Sequence, residues 1–283
     1  MNNFRHISRK KKIIGFIEYF ILVFCSLLVI IPILWMVSTA FKSEPETIKI
    51  PPNWIPKQPT GASFRRLWSE YPFLLYFRNS GIIVFGSMIL STIAASFAGY
   101  GVTRFRFKGK QAFLTFTLTT QMFPSIMLLI PYYKVLSVYN LNNTLLGMIL
   151  VYVSFTIPFC SWMMTGFFKT IPLELDEAAI IDGCSRFTIF YRIILPLTLP
   201  GIAATAIYSF NTGWNEYLFA QVLINDPSLK TVPVGIAELN GQYKILWNDM
   251  MMASLISSIP LVIVFLFFQK SFISGMTAGA VKE

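Results

Sequence analysis

Six long runs almost free of charge decide what this chain can become. Residues 13–37 carry one charged side chain, Glu18, and residues 79–103, 111–133, 135–168, 193–215 and 250–269 carry none. A bilayer-crossing helix needs about 20 mostly apolar residues, since the hydrocarbon core is about 30 Å thick. The run 135–168 exceeds one crossing, so its spanning part is expected at 144–168; the run 193–215 continues past Glu216 towards Asn225. Only 13% of the 283 residues are charged, where a soluble chain would carry about a quarter. The chain therefore reads as an all-α polytopic membrane protein with six transmembrane helices. Its parts are a basic N-terminal segment 1–12, one membrane domain 13–273 and a tail 274–283. No internal repeat, low-complexity tract or soluble domain interrupts this.

The run 13–37 is far longer than the roughly 7–15 residues of a signal-peptide core, so it is expected to be retained as a helix. The two densest basic clusters are Arg5, Arg9, Lys10, Lys11, Lys12 and Arg104, Arg106, Lys108, Lys110. Both fall on one side if the N-terminus is cytoplasmic, and the bias of Lys and Arg towards the inner face puts both termini inside. The net charge of +10 is then a topology signal. No basic helix with interleaved aromatics stands clear of the membrane to grip phosphates, so no nucleic-acid partner is expected.

The chain lacks the parts of an enzyme. Its one histidine is His6 in the basic tail, and no paired carboxylates or Cys/His clusters lie in the spans. Cys25, Cys160 and Cys184, an odd number without tight spacing, read as small apolar fillers, with no metal site. A secondary transporter would show coupling-ion carboxylates and repeated halves, and neither is visible.

Between the apolar runs, residues 41–77 are rich in Pro and Trp and are expected to be irregular, with a short helix near 63–70. Residues 225–247 carry Asp226-Pro227-Ser228, Gly235, Gly241 and Gln242 and suit an exposed turn-rich hairpin, with Gly241 and Gln242 at its tip. In the second run Ser91, Ala95 and Gly99 recur at four-residue spacing. Such small residues allow close helix approach, either within the chain or at a subunit interface.

The hydrophilic segment 169–199 is the most patterned. Pro172 suits the first turn of a helix, Glu174, Asp176 and Glu177 favour its positive end, and Gly183 suits a left-handed stop. Ser185 can cap a second helix, in which Phe187, Phe190, Tyr191 and Ile194 would share one apolar face. The expected shape is helix, bend, helix. Ala178 and Ala179 leave room for close approach of a partner, and Glu177 and Asp182 offer it carboxylates. An ion pair of Glu177 with Arg186 or Arg192 is the plainer alternative.

The same segment reads Glu177-Ala-Ala-x3-Gly183-x9-Ile193-x-Leu195-Pro196. Seven fixed positions would coincide by chance on the order of once in a hundred thousand such chains. The pattern resembles the cytoplasmic coupling loop of permease subunits of binding-protein-dependent ABC importers. Further stretches resemble the MalG-type permeases of the carbohydrate branch: Arg78-Asn-Ser80, Asn142-Asn-Thr144, Trp214-Asn-Glu216, Leu229-Lys-Thr-Val-Pro-Val-Gly235 and Thr277-Ala-Gly-Ala-Val-Lys282.

The resemblance implies a type I importer permease fold in a bacterial cytoplasmic membrane and transport of a sugar or oligosaccharide by alternating access. A non-sugar solute such as a polyamine or phosphonate is the other reading. It implies two ABC ATPase subunits docked on Glu177, Ala178, Ala179, Asp182 and Gly183, with Thr277, Ala278, Gly279 and Ala280 reaching between them. It also implies a second, MalF-like permease and an extracytoplasmic solute-binding protein touching Gly241 and Gln242. ATP and Mg would sit on the ATPase, since this chain has no phosphate-cradling G-x-x-x-x-G-K-[ST] loop and is expected to bind no cofactor. Glu216, an ionisable group within a span, demands a cavity or a partner. With Asn211, Trp214 and Asn215 it either lines the solute route or pairs structurally with the neighbouring permease.

Overall fold

The computed structural model describes residues 2–241 and 245–278, with side-chain surroundings described for 14–241 and 245–269. The helices are α1 (Asn2–Ala40), α2 (Glu44–Thr47), α3 (Ala62–Ser69), α4 (Phe73–Arg104), α5 (Lys110–Thr120), α6 (Leu129–Val138) and α7 (Leu145–Lys169). They continue with α8 (Glu174–Ile181), α9 (Arg186–Thr188), α10 (Leu195–Leu197), α11 (Leu199–Trp214), α12 (Leu218–Leu223), α13 (Val232–Glu238) and α14 (Trp247–Ala278). Among the described residues there is no β-strand, only an isolated bridge between Asn240 and Ile245.

Among the described residues four helices are each long and apolar enough to cross a membrane: Ile14–Ala40 of α1, all of α4, all of α7, and Trp247–Gln269 of α14. The other two apolar runs form bent pairs. Lys110–Thr120 and Ser125–Val138 meet at 100°, and Arg186–Leu197 and Leu199–Trp214 at 77°. A straight third helix over 111–133 does not form. Pro124 has no N–H to donate and holds an extended ψ of 129°, opening the 3₁₀ turn Ser125–Leu128. In the other pair a π-helical turn, Ile189–Ile194, precedes Thr198, which sits at φ −95°, ψ 11° between Pro196 and Pro200.

The chain divides into two compact units, 1–71 with 239–256, and 72–238 with 257–283. In the first, α1 from Ile14 to Leu34 is almost wholly exposed. The segment after it is pinned by polar contacts: Lys42 lies 3.9 Å over the Trp35 ring, Asn248 donates to the Lys42 carbonyl, and Arg66 forks onto the buried Asp249 carboxylate. The short helix expected near 63–70 is α3.

The second unit is built on α4, α7 and α11. Ser91, Ala95 and Gly99 turn out to face α7 of the same chain. Ser91 Oγ lies 2.6 Å from Thr156 Oγ1, and a Cβ on Gly99 would fall 2.9 Å from Met164 Cβ and 3.0 Å from the backbone of Met164 and Thr165. The small-residue stripe is therefore intrachain packing. At the other end of α4, Asn79 donates to the Ser228 and Lys230 carbonyls, and Ser80 Oγ accepts from Val232 N–H. These bonds seat α13, so of the hairpin expected over 225–247 the first part holds a 3₁₀ turn, Pro227–Leu229, and α13 instead, and only the antiparallel bridge of Asn240 with Ile245 is hairpin-like.

Because α7 backbone cannot retreat from a side chain at residue 99, Gly99→Val should cost about 1–3 kcal/mol of packing free energy. Gly81→Ala, with no atom within 4 Å, should cost nothing comparable. Monodisperse yield after a heat step in detergent should fall for the first variant alone.

Candidate functional site

The segment 169–199 has the helix–bend–helix form that its residues suggest. α8 begins at Glu174, two residues after Pro172, and places Glu174, Asp176 and Glu177 in its first turn. It ends through Asp182 N–H to Ala178 O, Gly183 N–H to Ile180 O and Cys184 N–H to Ala179 O, each 3.0 Å. Gly183 stands at φ +83°, the left-handed conformation that glycine adopts without penalty. Ser185 caps the next helix, its Oγ accepting from Thr188 N–H at 3.2 Å.

The surface of this element divides sharply. Glu177, Ala178, Asp182 and Gly183 are exposed, while Ala179 is buried. Glu177 forms no ion pair with Arg186 or Arg192 among the described residues; Arg186 instead lies over the Phe105 ring. The apolar face expected for Phe187, Phe190, Tyr191 and Ile194 is split. Phe190 and Ile194 are buried, but Phe187 is 67% and Tyr191 63% exposed. The π turn adds a residue to the helical repeat, so the 3.6-residue spacing no longer keeps these side chains on one side. Ile180 and Ile181 of α8 are exposed as well, so the segment presents apolar side chains along with Glu177 and Asp182.

What holds the element was not evident from the sequence. Asp176 is buried at the end of α4: Arg104 Nε lies 3.0 Å from its Oδ2, off the hydrogen-bond axis, and Tyr100 OH donates to its Oδ1 at 3.2 Å. Arg104 also donates to the Ile171 carbonyl at 3.1 Å. Around this pair Tyr100, Phe168 and Phe190 pack with ring centroids 4.8–6.4 Å apart. The only hint was an arginine in a basic cluster and an aspartate in a helix's first turn, and those two facts have no visible link in the sequence.

A second feature gathers around Glu216. One carboxylate oxygen accepts from Phe219 N–H (2.7 Å), the other from Tyr152 OH (2.7 Å) and Ala220 N–H (3.1 Å). Glu216 thus opens α12 and ties it to α7. It also borders a cavity of about 510 Å³ with Gln121, Ser154, Tyr208, Thr212 and Asn215. Trp214, grouped with it in the sequence, faces elsewhere: its ring stacks on Phe210 at 5.6 Å and its indole N–H donates to Ser257 O. Asn211 is exposed and holds Asn215 through its carbonyl at 2.8 Å.

In the segment after α12, Ser228 N–H and Oγ both donate to Asp226 and hold its carboxyl below the usual range. Gly241 is exposed, while Gln242 lies outside the described residues. Thr277 and Ala278 close α14, and Gly279 and Ala280 lie outside the described residues. Among the described residues no group of three His, Cys, Asp or Glu could hold a metal.

Residues 87–278 match the profile of the family described as "Binding-protein-dependent transport system inner membrane component". The trehalose/maltose transport system permease protein MalG of Thermococcus litoralis is 37% identical over 261 residues, covering 91% of this chain and 93% of that protein. The sulfoquinovosyl glycerol transport system permease protein SmoH of Agrobacterium fabrum is 32% identical over 251 residues, 89% of this chain and 88% of that one. Among solved structures, a bacterial ABC transporter involved in import of the acidic polysaccharide alginate superposes with a TM-score of 0.79. The alignment is 21% identical and covers 93% of this chain and 98% of that one. The fold is shared.

Removing one partner of a buried ion pair leaves the other charge uncompensated, at a cost of about 3 kcal/mol or more. Asp176→Ala should therefore lower the melting temperature of the purified protein, while Glu177→Ala, on the exposed side of the same helix, should leave it unchanged. Thermal denaturation in detergent separates the two.

Proposed function

The chain belongs to the binding-protein-dependent transport system inner membrane component family, and from that premise we propose that it is the sugar-translocating permease subunit of an ABC importer. It is a transport subunit and not an enzyme. In this reading the six apolar segments make six crossings, two of them broken, with both termini in the cytoplasm. A second, MalF-like permease completes the pathway, and a solute-binding protein delivers the sugar against the outer segment around Gly241 and Gln242.

The observation that carries this reading is the exposed patch of Glu177, Ala178, Asp182 and Gly183 on a helix anchored from behind. Two exposed carboxylates on a segment that also exposes Ile180, Ile181, Phe187 and Tyr191 suit a docking cleft with both basic and apolar groups. An ATPase subunit that moves on binding ATP with Mg would carry α8 with it. The Arg104–Asp176 pair then passes that displacement to α4, and hence to α7 packed against it, turning the pathway outward as a rigid-body motion. The tail Thr277 to Ala280 would reach between the two ATPase subunits. Asn211, Asn215 and Glu216 are the pathway candidates, and Trp214 supports them from the packed side. The relative named for trehalose and maltose favours a sugar over a polyamine or phosphonate.

Glu177→Lys reverses the charge at the centre of the patch without touching a buried contact. In proteoliposomes holding the whole transporter, it should leave the subunit in the membrane and abolish both sugar uptake and the ATPase stimulation given by loaded binding protein. Normal uptake by this variant would overturn the docking assignment.

A further inference from the structure

A groove of about 430 Å³ opens where α4 ends and α5 begins, and its lining is wholly apolar: Ala98, Gly101, Val102, Phe105, Phe107 and Phe113. The three rings are exposed. The local chain explains the shape. α4 stops at Arg104 and Phe105 turns extended, with ψ 144°. Gly109 at φ +91° then leads into α5, where Phe113 N–H donates to the Gly109 carbonyl at 2.9 Å. Gly101 leaves room on the α4 side, since a Cβ there would meet no atom within 4 Å.

Cations alternate with these rings. Arg106 and Lys108 are exposed on either side of Phe107, and Lys110 opens α5. Among the described residues the ion pairs are Arg66–Asp249, Arg104–Asp176 and Lys230–Glu238. Arg104 is thus committed to α8, while Arg106, Lys108 and Lys110 have no acidic partner there. Arg186, just past the Gly183 bend, joins the same rim: its guanidinium lies 5.3 Å over the Phe105 ring. A charge bias that sets topology needs no groove beside it. An apolar slot at the end of a span, rimmed by unpaired cations, fits an amphiphile with an apolar chain and an anionic head, and basic pockets on the cytoplasmic side of membrane proteins take such headgroups. A zwitterionic head carries its own cation and gains less from the rim. Resting on the permease reading above, which puts the end of α4 at the cytoplasmic face, we infer that this groove binds an anionic phospholipid of the inner leaflet. An acyl chain lies against Phe105, Phe107 and Phe113, and Arg106 and Lys108 hold the phosphate through charge-assisted hydrogen bonds. Through the Phe105–Arg186 contact the bound lipid adjoins the segment that bears the docking patch.

The test uses the complete transporter with its partner permease and ATPases, in nanodiscs of equal parts phosphatidylglycerol and phosphatidylcholine. Benzoylphenylalanine in place of Phe107 is photolysed, and the adducts on this chain are identified by mass. Phosphatidylglycerol adducts should exceed phosphatidylcholine adducts at least threefold. Arg106→Gln together with Lys108→Gln should bring the two lipids to parity. Gly101→Phe, which fills the groove and keeps every cation, should suppress both adducts. Equal adducts of the two lipids on the chain with its cations intact would overturn the assignment. An adduct with the partner permease or an ATPase subunit would overturn it too, and so would lipid adducts that survive Gly101→Phe in an assembled complex. If Gly101→Phe fails to assemble, the charge variant still decides. Labelling of Gln111→Cys by an impermeant maleimide in intact cells would overturn the cytoplasmic placement, and with it the leaflet named here. Sugar uptake is measured separately in proteoliposomes of the same lipids: its absence would overturn the sugar-permease reading, while the adduct ratio would still decide the lipid site.

Discussion

The buried pair of Arg104 and Asp176 is the interaction on which the rest of the arrangement depends. α8 is only eight residues long, too short to be stable alone, and it presents its most hydrophilic side outwards. Its hold on the membrane core comes through Asp176 and Ala179 on the inward side. Desolvating such a pair is costly; here Tyr100 OH donates to Asp176 Oδ1 and Arg104 donates to the Ile171 carbonyl, while Nε and Oδ2 face each other at 3.0 Å as an ion pair without a hydrogen bond. Both side chains are almost wholly buried, at 3% and 9% exposure. The exposed patch of α8 is therefore anchored to α4 from behind and is not a loose loop.

The same economy governs the polar side chains inside the long helices. Ser96 bonds to Thr92 O, Thr165 to Ser161 O and Thr205 to Gly201 O, each closing on its own helix one turn back. Polar groups can then line a bundle without demanding partners elsewhere. Ser91 and Thr156, which bond each other between α4 and α7, depart from this, and so does Glu216, which recruits three donors from α7 and α12. Where an apolar segment breaks, beside Phe123 and Ser125 and at Thr198, the backbone is close to the cavity that Glu216 borders or to the π turn that follows α9. The breaks and the polar sites belong together, since lipid would not tolerate the exposed backbone that a break leaves.

Much of this was legible in the sequence. Charge-free runs mark every long helix, Gly183 takes the left-handed stop its place after Glu174–Ile181 required, and Ser185 caps the helix it precedes. Patterns that rely on a regular 3.6 repeat fared worse. The face drawn through Phe187 and Tyr191 was undone by a π turn that no residue in 189–194 announces. Trp214 was grouped with Glu216 by neighbourhood alone, and its position on α11 stacks it on Phe210. Asp176 read as a helix-end charge because the partner that gives it its role, Arg104, is 72 positions away and across a fold that local pattern cannot supply. Long-range pairing of that kind follows from packing and not from spacing.

The most direct measurement of this account is the distance between α4 and α8 through the transport cycle. Spin labels at Ile93→Cys and Leu175→Cys, both exposed, would report it by pulsed electron spectroscopy in the complete transporter, without nucleotide and with ATP trapped. If the buried pair makes α8 a rigid part of the membrane core, the distance should agree in the two states to within about 2 Å, the scale of ordinary helix shifts. A displacement of α8 against α4 well beyond that, while labels on the ATPase show its closure, would contradict it.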